Sequence, residues 1–529
     1  MAGMSGIQFP AGEDGERSTL RAGSDALAAA VKGVDAELAE QITRSGKKFR
    51  FEYAKYYVRM NELSAVSKAN ALEIARAGLE HLHGAFEYVH DGKAYSLAEA
   101  MKTISGSFDT MEIHGTVSEN AIPSRLDVPY GKSALFGPVL SGKLREWAQR
   151  GTIEPSAAAA IRMVAENGKW LDLRGKYFVL LGAGSAMGPL PFLLSCGANV
   201  IAIDLDRPQI WERIIGVARA SPGTLIFPVK QGSQPKTDEE LFAAAGCNLF
   251  TQTPQILNWL VGVKPEQQLI VGTYAYLDGA KHVQVALAMD AIVQGLLQER
   301  GDIFLASLGT PTDTYAIPED AYNASIKNFN ERGALEKLFQ LNSKWCVKNA
   351  RKPVKAADGT DYYICDTILS TQGPNYTLAK RVQLWRAMLT REDAGCAVSL
   401  NIAPSTSTKS VMIKKEIVWV LSGISYFAPM EVFEQETSNV VMAALLVHDL
   451  NNKQSVAYKS AKSLGNPLEL FLENAFHGGT FRMAYKMESA AVPAAIVHLA
   501  SANAAVLGLI LLLVVVFVGL VAAKLPKLV

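Results

Sequence analysis

Three glycines and one acid supply the first chemistry in this chain. Gly182, Gly184 and Gly188 fall within the run LGAGSAMG, and Asp204 follows at roughly the twenty-residue spacing of nucleotide-binding units. Without a Cβ, glycine permits a tight turn and lets backbone N–H groups approach a pyrophosphate at the positive end of the next helix. Ser185 lies inside the same turn. A carboxylate at Asp204 accepts hydrogen bonds from an adenosine ribose and repels a 2′-phosphate, which favours NAD(H), with NADP(H) as the alternative. S-adenosylmethionine is bound by a similar turn and acid, so a methyltransferase and a non-catalytic membrane-tethered scaffold remain open.

The elements that must position these residues follow from apolar runs. Residues 177–181 are uncharged and apolar, as suits a parallel strand buried on both faces, and 200–203 repeat the pattern before Asp204. Further strands are expected at 224–229, 267–276, 302–308 and 396–404, with helices at 208–218, 282–300 and 376–390. Such alternation predicts an α/β fold, a Rossmann-like doubly wound parallel sheet. The charged, turn-rich stretch 314–373 breaks the rhythm and reads as an insertion. The expected organisation is a disordered lead at 1–23, a helical region at 24–170, the nucleotide-binding domain at 171–490 and a membrane anchor at 491–529.

That anchor rests on residues 505–523, AVLGLILLLVVVFVGLVAA, which carry no polar side chain. At about 1.5 Å per residue, a helix of this length approaches the ~30 Å of a bilayer core. The expectation is a single-pass C-terminal transmembrane helix with a cytosolic body, at the endoplasmic reticulum before other organelles. The chain has 529 residues, 49% of them hydrophobic, and balances 52 basic against 51 acidic residues. No basic stripe calls for nucleic acid. Its five cysteines are scattered without paired spacing, which implies no zinc site and a reducing compartment. His81, His83 and His90 lack carboxylates at matching spacing, so no metal is expected.

Later segments resemble the short-chain dehydrogenase/reductase family over about 176–411. The turn LGAGSAMG is similar to that family's glycine signature, with Leu181 at its threonine and Ala186 at its middle glycine. Tyr376 and Lys380 match its Tyr-x-x-x-Lys dyad, and 399–411 resemble its segment after the dyad helix, where Pro404 would contact a nicotinamide. The resemblance implies an NAD(P)(H)-dependent oxidoreductase acting on a carbonyl or alcohol. One helical turn puts the Tyr376 phenol and the Lys380 ammonium on one face, so that the charge lowers the phenol pKa and Tyr376 serves as general acid/base. The family serine, an oxyanion donor, is matched by Ser307 at the end of a strand, with Ser370 as competitor. The family's helix asparagine has no match within 282–300.

Tyr458 and Lys462 repeat the dyad spacing without a long helix. Tyr274, Tyr276 and Lys281 suit a pocket wall, and His448, Asp449 and His477 lack the nucleophile motif of a hydrolase. An apolar, lipid-like substrate is expected from the anchor alone. The 24–170 helices either cover the site or form a homo-oligomer contact.

Overall fold

The structure is a computed structural model that describes residues 5–13, 15–409, 411–413, 415–502 and 508. Its main sheet has seven strands, numbered here along the chain: β1 (Asp109–His114), β2 (Tyr177–Leu181), β3 (Asn199–Ile203), β4 (Thr224–Val229), β5 (Leu269–Thr273), β6 (Ile303–Gly309) and β7 (Val398–Ile402). They lie in the order β7-β6-β5-β2-β3-β4-β1. Strands β2 to β7 run parallel, and β1 joins β4 antiparallel, Asp109 opposite Val229.

The parallel strands are built from residues apolar on both faces. Val179, Leu181, Ile201 and Ile203 face one helical layer, whereas Phe178, Leu180, Val200 and Ala202 face the other. The first layer holds Thr253–Gly262, α1 (Ala280–Glu299) and α2 (Pro374–Glu392), and the N-terminal helices Thr19–Lys32, Phe49–Val66 and Lys68–Ala85 pack outside it. The second holds Leu190–Ser195, Pro208–Arg219 and Gln435–Asn451, with Gly137–Arg150 and Pro155–Glu166 beside them. Between β6 and α2, the strands Thr314–Ile317, Val354–Lys355 and Asp361–Asp366 form a small antiparallel sheet. Two later helices, α3 (Lys415–Ile424) and α4 (Met487–Ala502), pack against each other.

Two expectations of fold are corrected. The sheet is mixed, not wholly parallel, because β1 comes from the region read as helical. Its residues alternate between exposed and half-buried, as an antiparallel edge strand allows. Gly115 permits its close approach, since a Cβ there would lie 1.7 Å from the Ser221 carbonyl oxygen. Secondly, among the described residues no helix is long and apolar enough to cross a membrane. The span expected at 505–523 lies outside the described residues apart from 508, so neither the transmembrane helix nor the membrane localisation is retained. Within the stretch expected as a disordered lead, Gly6–Gln8 form a strand paired with Glu87–His90.

Candidate active site

At the C-terminal ends of the parallel strands, where strand order reverses between β2 and β5, a cavity of about 650 Å³ opens. Open α/β sheets bind ligands at such a switch point.

The turn after β2 forms one end of the cavity. Gly182 has φ +91°, and a Cβ there would fall 2.5 Å from the Ala275 Cα, so only glycine fits beside the end of β5. The N–H groups of Gly182 and Ala183 both donate to the Ile203 carbonyl, tying the turn to β3. Asp204 accepts from the Gly184 N–H at 2.6 Å and from the Leu205 N–H at 2.8 Å. Burial pushes its carboxyl up, while these bonds and Arg213 and Arg207 pull the other way. Arg213 Nη2 donates to the Gly184 carbonyl at 2.9 Å, and a Cβ on Gly184 would come within 2.5 Å of that nitrogen. Ser185 lines the cavity; Gly188 instead closes the turn, donating to the Ser185 carbonyl. The following helix, Leu190–Ser195, is only six residues long, so its dipole adds little positive potential beyond the turn's own N–H groups.

Tyr376, Lys380 and Pro404 line the same cavity. Tyr376 stands in the first turn of α2, whose start is set by Pro374, and its hydroxyl donates to Thr310 Oγ1 at 2.9 Å. Thr310 directly follows β6, and its hydroxyl meets that of Thr312 at 3.0 Å, which donates to Gln372 Oε1 at 2.7 Å. Burial holds the Tyr376 phenol up at about 12, with the bond to Thr310 opposing. Lys380 Nζ donates to Gln383 Oε1 at 3.1 Å and to the Leu308 carbonyl at 3.4 Å. Burial brings its ammonium down to about 8, against the charge of Asp313. Asp313 is itself buried and paired with Arg381 at 2.5 Å.

Ser307 makes no hydrogen bond to Tyr376, although Thr273, which it meets, accepts from Gln383, the partner of Lys380. It faces the helical layer, where its hydroxyl meets Thr273 Oγ1 at 2.5 Å. Ser370 is held by Glu488, Oγ to Oε1 at 2.6 Å. The Tyr458 hydroxyl donates to the Leu450 carbonyl, and Lys462 pairs with Glu473. His448 and His477 are buried against Asp449 and Glu154 respectively, as packing polar pairs. Tyr274 and Tyr276 line the cavity wall.

Several residues of the site escaped the sequence reading. Thr310 and Thr312 carried a signal in TPTDT, directly after β6. His282 stacks on the Tyr376 ring with centroids 5.5 Å apart and planes at 20°. Val411, Ile417, Val420, Leu421, Ile424, Met487 and Ala491, from α3, α4 and the approach to α3, give the cavity a broad apolar end. Among the described residues no group of histidine, cysteine and acidic side chains is placed to hold a metal.

No family model and no curated protein matches the chain. Two solved structures resemble it loosely. One is the NADPH-dependent 3-quinuclidinone reductase of Rhodotorula rubra, with a TM-score of 0.30 and 10% identity over 54% of this chain and 88% of that one. The other is a provisionally assigned dehydrogenase from Xanthomonas campestris, with a TM-score of 0.27 and 14% identity over 57% of this chain and 97% of that one. Superposition this loose fixes neither family nor activity, so function is argued from the site.

Proposed function

We propose that the protein is a nicotinamide-dependent oxidoreductase that reduces a carbonyl, or in reverse oxidises an alcohol, on a substrate with an apolar body. The observation that carries this reading is one cavity joining the Gly182 turn and Asp204 to Tyr376, Thr310 and Lys380. A dinucleotide suits the residues present. The turn is bare of side chains where a Cβ on Gly184 would meet Arg213, and Asp204 keeps lone pairs on both oxygens for ribose hydroxyls. Gly182, Gly184 and Ser185 would hold the pyrophosphate, Asp204 the ribose and Pro404 the nicotinamide side, with NAD(H) preferred over NADP(H) because Asp204 repels a 2′-phosphate.

The bound dinucleotide supplies the hydride. The protein's own work is to place and move a proton. At neutral pH Tyr376 carries its proton, so its hydroxyl donates to an oxygen that gains charge as the carbonyl is reduced. Thr310 orients that hydroxyl by accepting from it, a role distinct from the oxyanion donor expected at Ser307. Lys380, one turn along α2, is the stronger acid of the two and returns a proton to the phenolate. The apolar walls of α3 and α4 hold the substrate body and exclude water.

The test is titration of the full chain with NADH, NADPH and S-adenosylmethionine, repeated with Asp204→Ala. NADH should bind, and Asp204→Ala should weaken it. Binding of S-adenosylmethionine alone would replace the reading with a methyltransferase, and binding of none would remove its basis.

A further inference from the structure

His282 is the residue of this site that neither the glycine turn nor the Tyr376 and Lys380 pair explains. It stands in the first turn of α1, is 2% exposed, and lies between two tyrosines. Its ring centroid is 4.7 Å from that of Tyr276 and 5.5 Å from that of Tyr376, nearly parallel to the latter. Nδ1 accepts from the Leu277 N–H at 3.4 Å, which puts the ring proton of the neutral form on Nε2. That Nε2 is buried and has no hydrogen-bond partner among the described residues. A residue needed only to fill space between two tyrosines would be a phenylalanine, because burying an unpaired N–H opposes folding.

The groups facing His282 explain why it stays uncharged. Burial and then the Lys380 ammonium hold its imidazolium down to about 3. Asp278 is engaged by the Tyr276 hydroxyl at 2.9 Å, and Asp313 is paired with Arg381. Neither carboxylate makes a hydrogen bond or ion pair with the imidazole.

We propose that His282 is a positioning residue for Tyr376. It is an imidazole of fixed tautomer, set behind Tyr376 and outside the cavity lining, whose face sets the plane of the phenol. This rests on the oxidoreductase reading. Because the imidazole stays neutral, the proton passed at Tyr376 Oη is not shared with His282.

The experiment combines two readouts on the full chain. Nitrogen-15 NMR of histidine-labelled protein, with the signal assigned by His282→Gln, should show an Nε2–H neutral ring that does not titrate between pH 5 and 8. His282→Phe keeps a stacked ring without the Nδ1 that accepts from the Leu277 N–H. Its kcat should fall about tenfold or more, with KM for NADH within about twofold and a displaced alkaline limb in the pH profile. An imidazole that titrates near its ordinary value, or a His282→Phe enzyme with wild-type kcat and pH profile, overturns the proposal. Failure of wild-type protein to bind NADH is instead a failure of the oxidoreductase reading, and the histidine spectrum without ligand still reports the tautomer.

Discussion

Burial raises the Tyr376 phenol to about 12 and lowers the Lys380 ammonium to about 8, so near neutral pH both groups carry their protons. Such a pair is set to hold and deliver protons. Tyr376→Phe should lower kcat by about 10²–10⁴-fold, the usual worth of a general acid, while the Kd for NADH is unchanged. Thr310→Val should lower kcat by roughly 10–100-fold, and Ser307→Ala by less than about threefold, since only the Thr310 hydroxyl accepts from the phenol and orients it. Steady-state kinetics on the three variants distinguishes the two hydroxyls. Lys380 also links pH to stability. The folded ammonium titrates at about 8 and an unfolded one near ~10.4, so the unfolded chain binds more protons between these values and stability rises with pH across that window. Lys380→Met should therefore raise Tm at pH 7 while depressing activity, and melts at about pH 10.5 should no longer separate the two proteins.

The helices that carry these residues are fastened by a buried charge cluster. Asp290 on α1 takes a two-point contact from Arg386 on α2, at 2.6 and 2.9 Å, and a 2.6 Å contact from His83 on Lys68–Ala85. Burial pushes the carboxyl up, but Arg386 and then His83 outweigh it and hold Asp290 at about 2. With an unfolded value near ~3.9, this stability is fully present above about pH 4 and is lost as pH falls toward 2. Asp290→Asn leaves Arg386 buried without its partner and should cost about 3–5 kcal/mol at pH 7, and it should flatten acid unfolding between pH 4 and 2. Urea melts across that range check both. The same elements mark what the sequence could and could not reveal. Strand β2, its glycine turn and Asp204 were legible because they are local and because strands buried on both faces are apolar runs. That property also hid which hydroxyl meets the Tyr376 phenol. Along β6, Ile303 and Leu305 face one layer while Phe304 and Ala306 face the other, and both sets are apolar. No pattern therefore told which way Ser307 points, and its hydroxyl meets Thr273, not Tyr376. Strand β1 was missed because its solvated face carries charge, and His282 because the ring it stacks on, Tyr376, comes from a distant segment.

At the scale of the whole molecule, the cavity is assembled from two halves of different origin. The C-terminal ends of the central strands supply the glycine turn and the polar groups, and α3 with α4 closes the apolar end. These helices meet backbone to backbone, since a Cβ on the buried Gly423 would lie 1.9 Å from the Ala494 carbonyl oxygen. Helix α4 also reaches the polar end. Glu488, in its first turn, accepts from the Ser370 N–H at 2.9 Å and from its hydroxyl at 2.6 Å, steadying the loop that leads through Gln372 to Tyr376. Wall and acid are thereby joined through one helix, so a substrate body that packs on Met487 and Ala491 bears on the element that anchors this loop. Gly423→Leu forces α3 and α4 apart and should separate the two halves of the cavity. The affinity of an apolar carbonyl compound should fall about tenfold or more, roughly 1.4 kcal/mol, while NADH, which the reading places at the C-terminal ends of the central strands, keeps its Kd. Parallel calorimetric titrations with NADH and with the apolar ligand check this, with circular dichroism establishing that the fold is kept. Equal loss of both affinities would mean that the helix pair shapes the dinucleotide site too, and no loss of either would move the substrate away from α3 and α4.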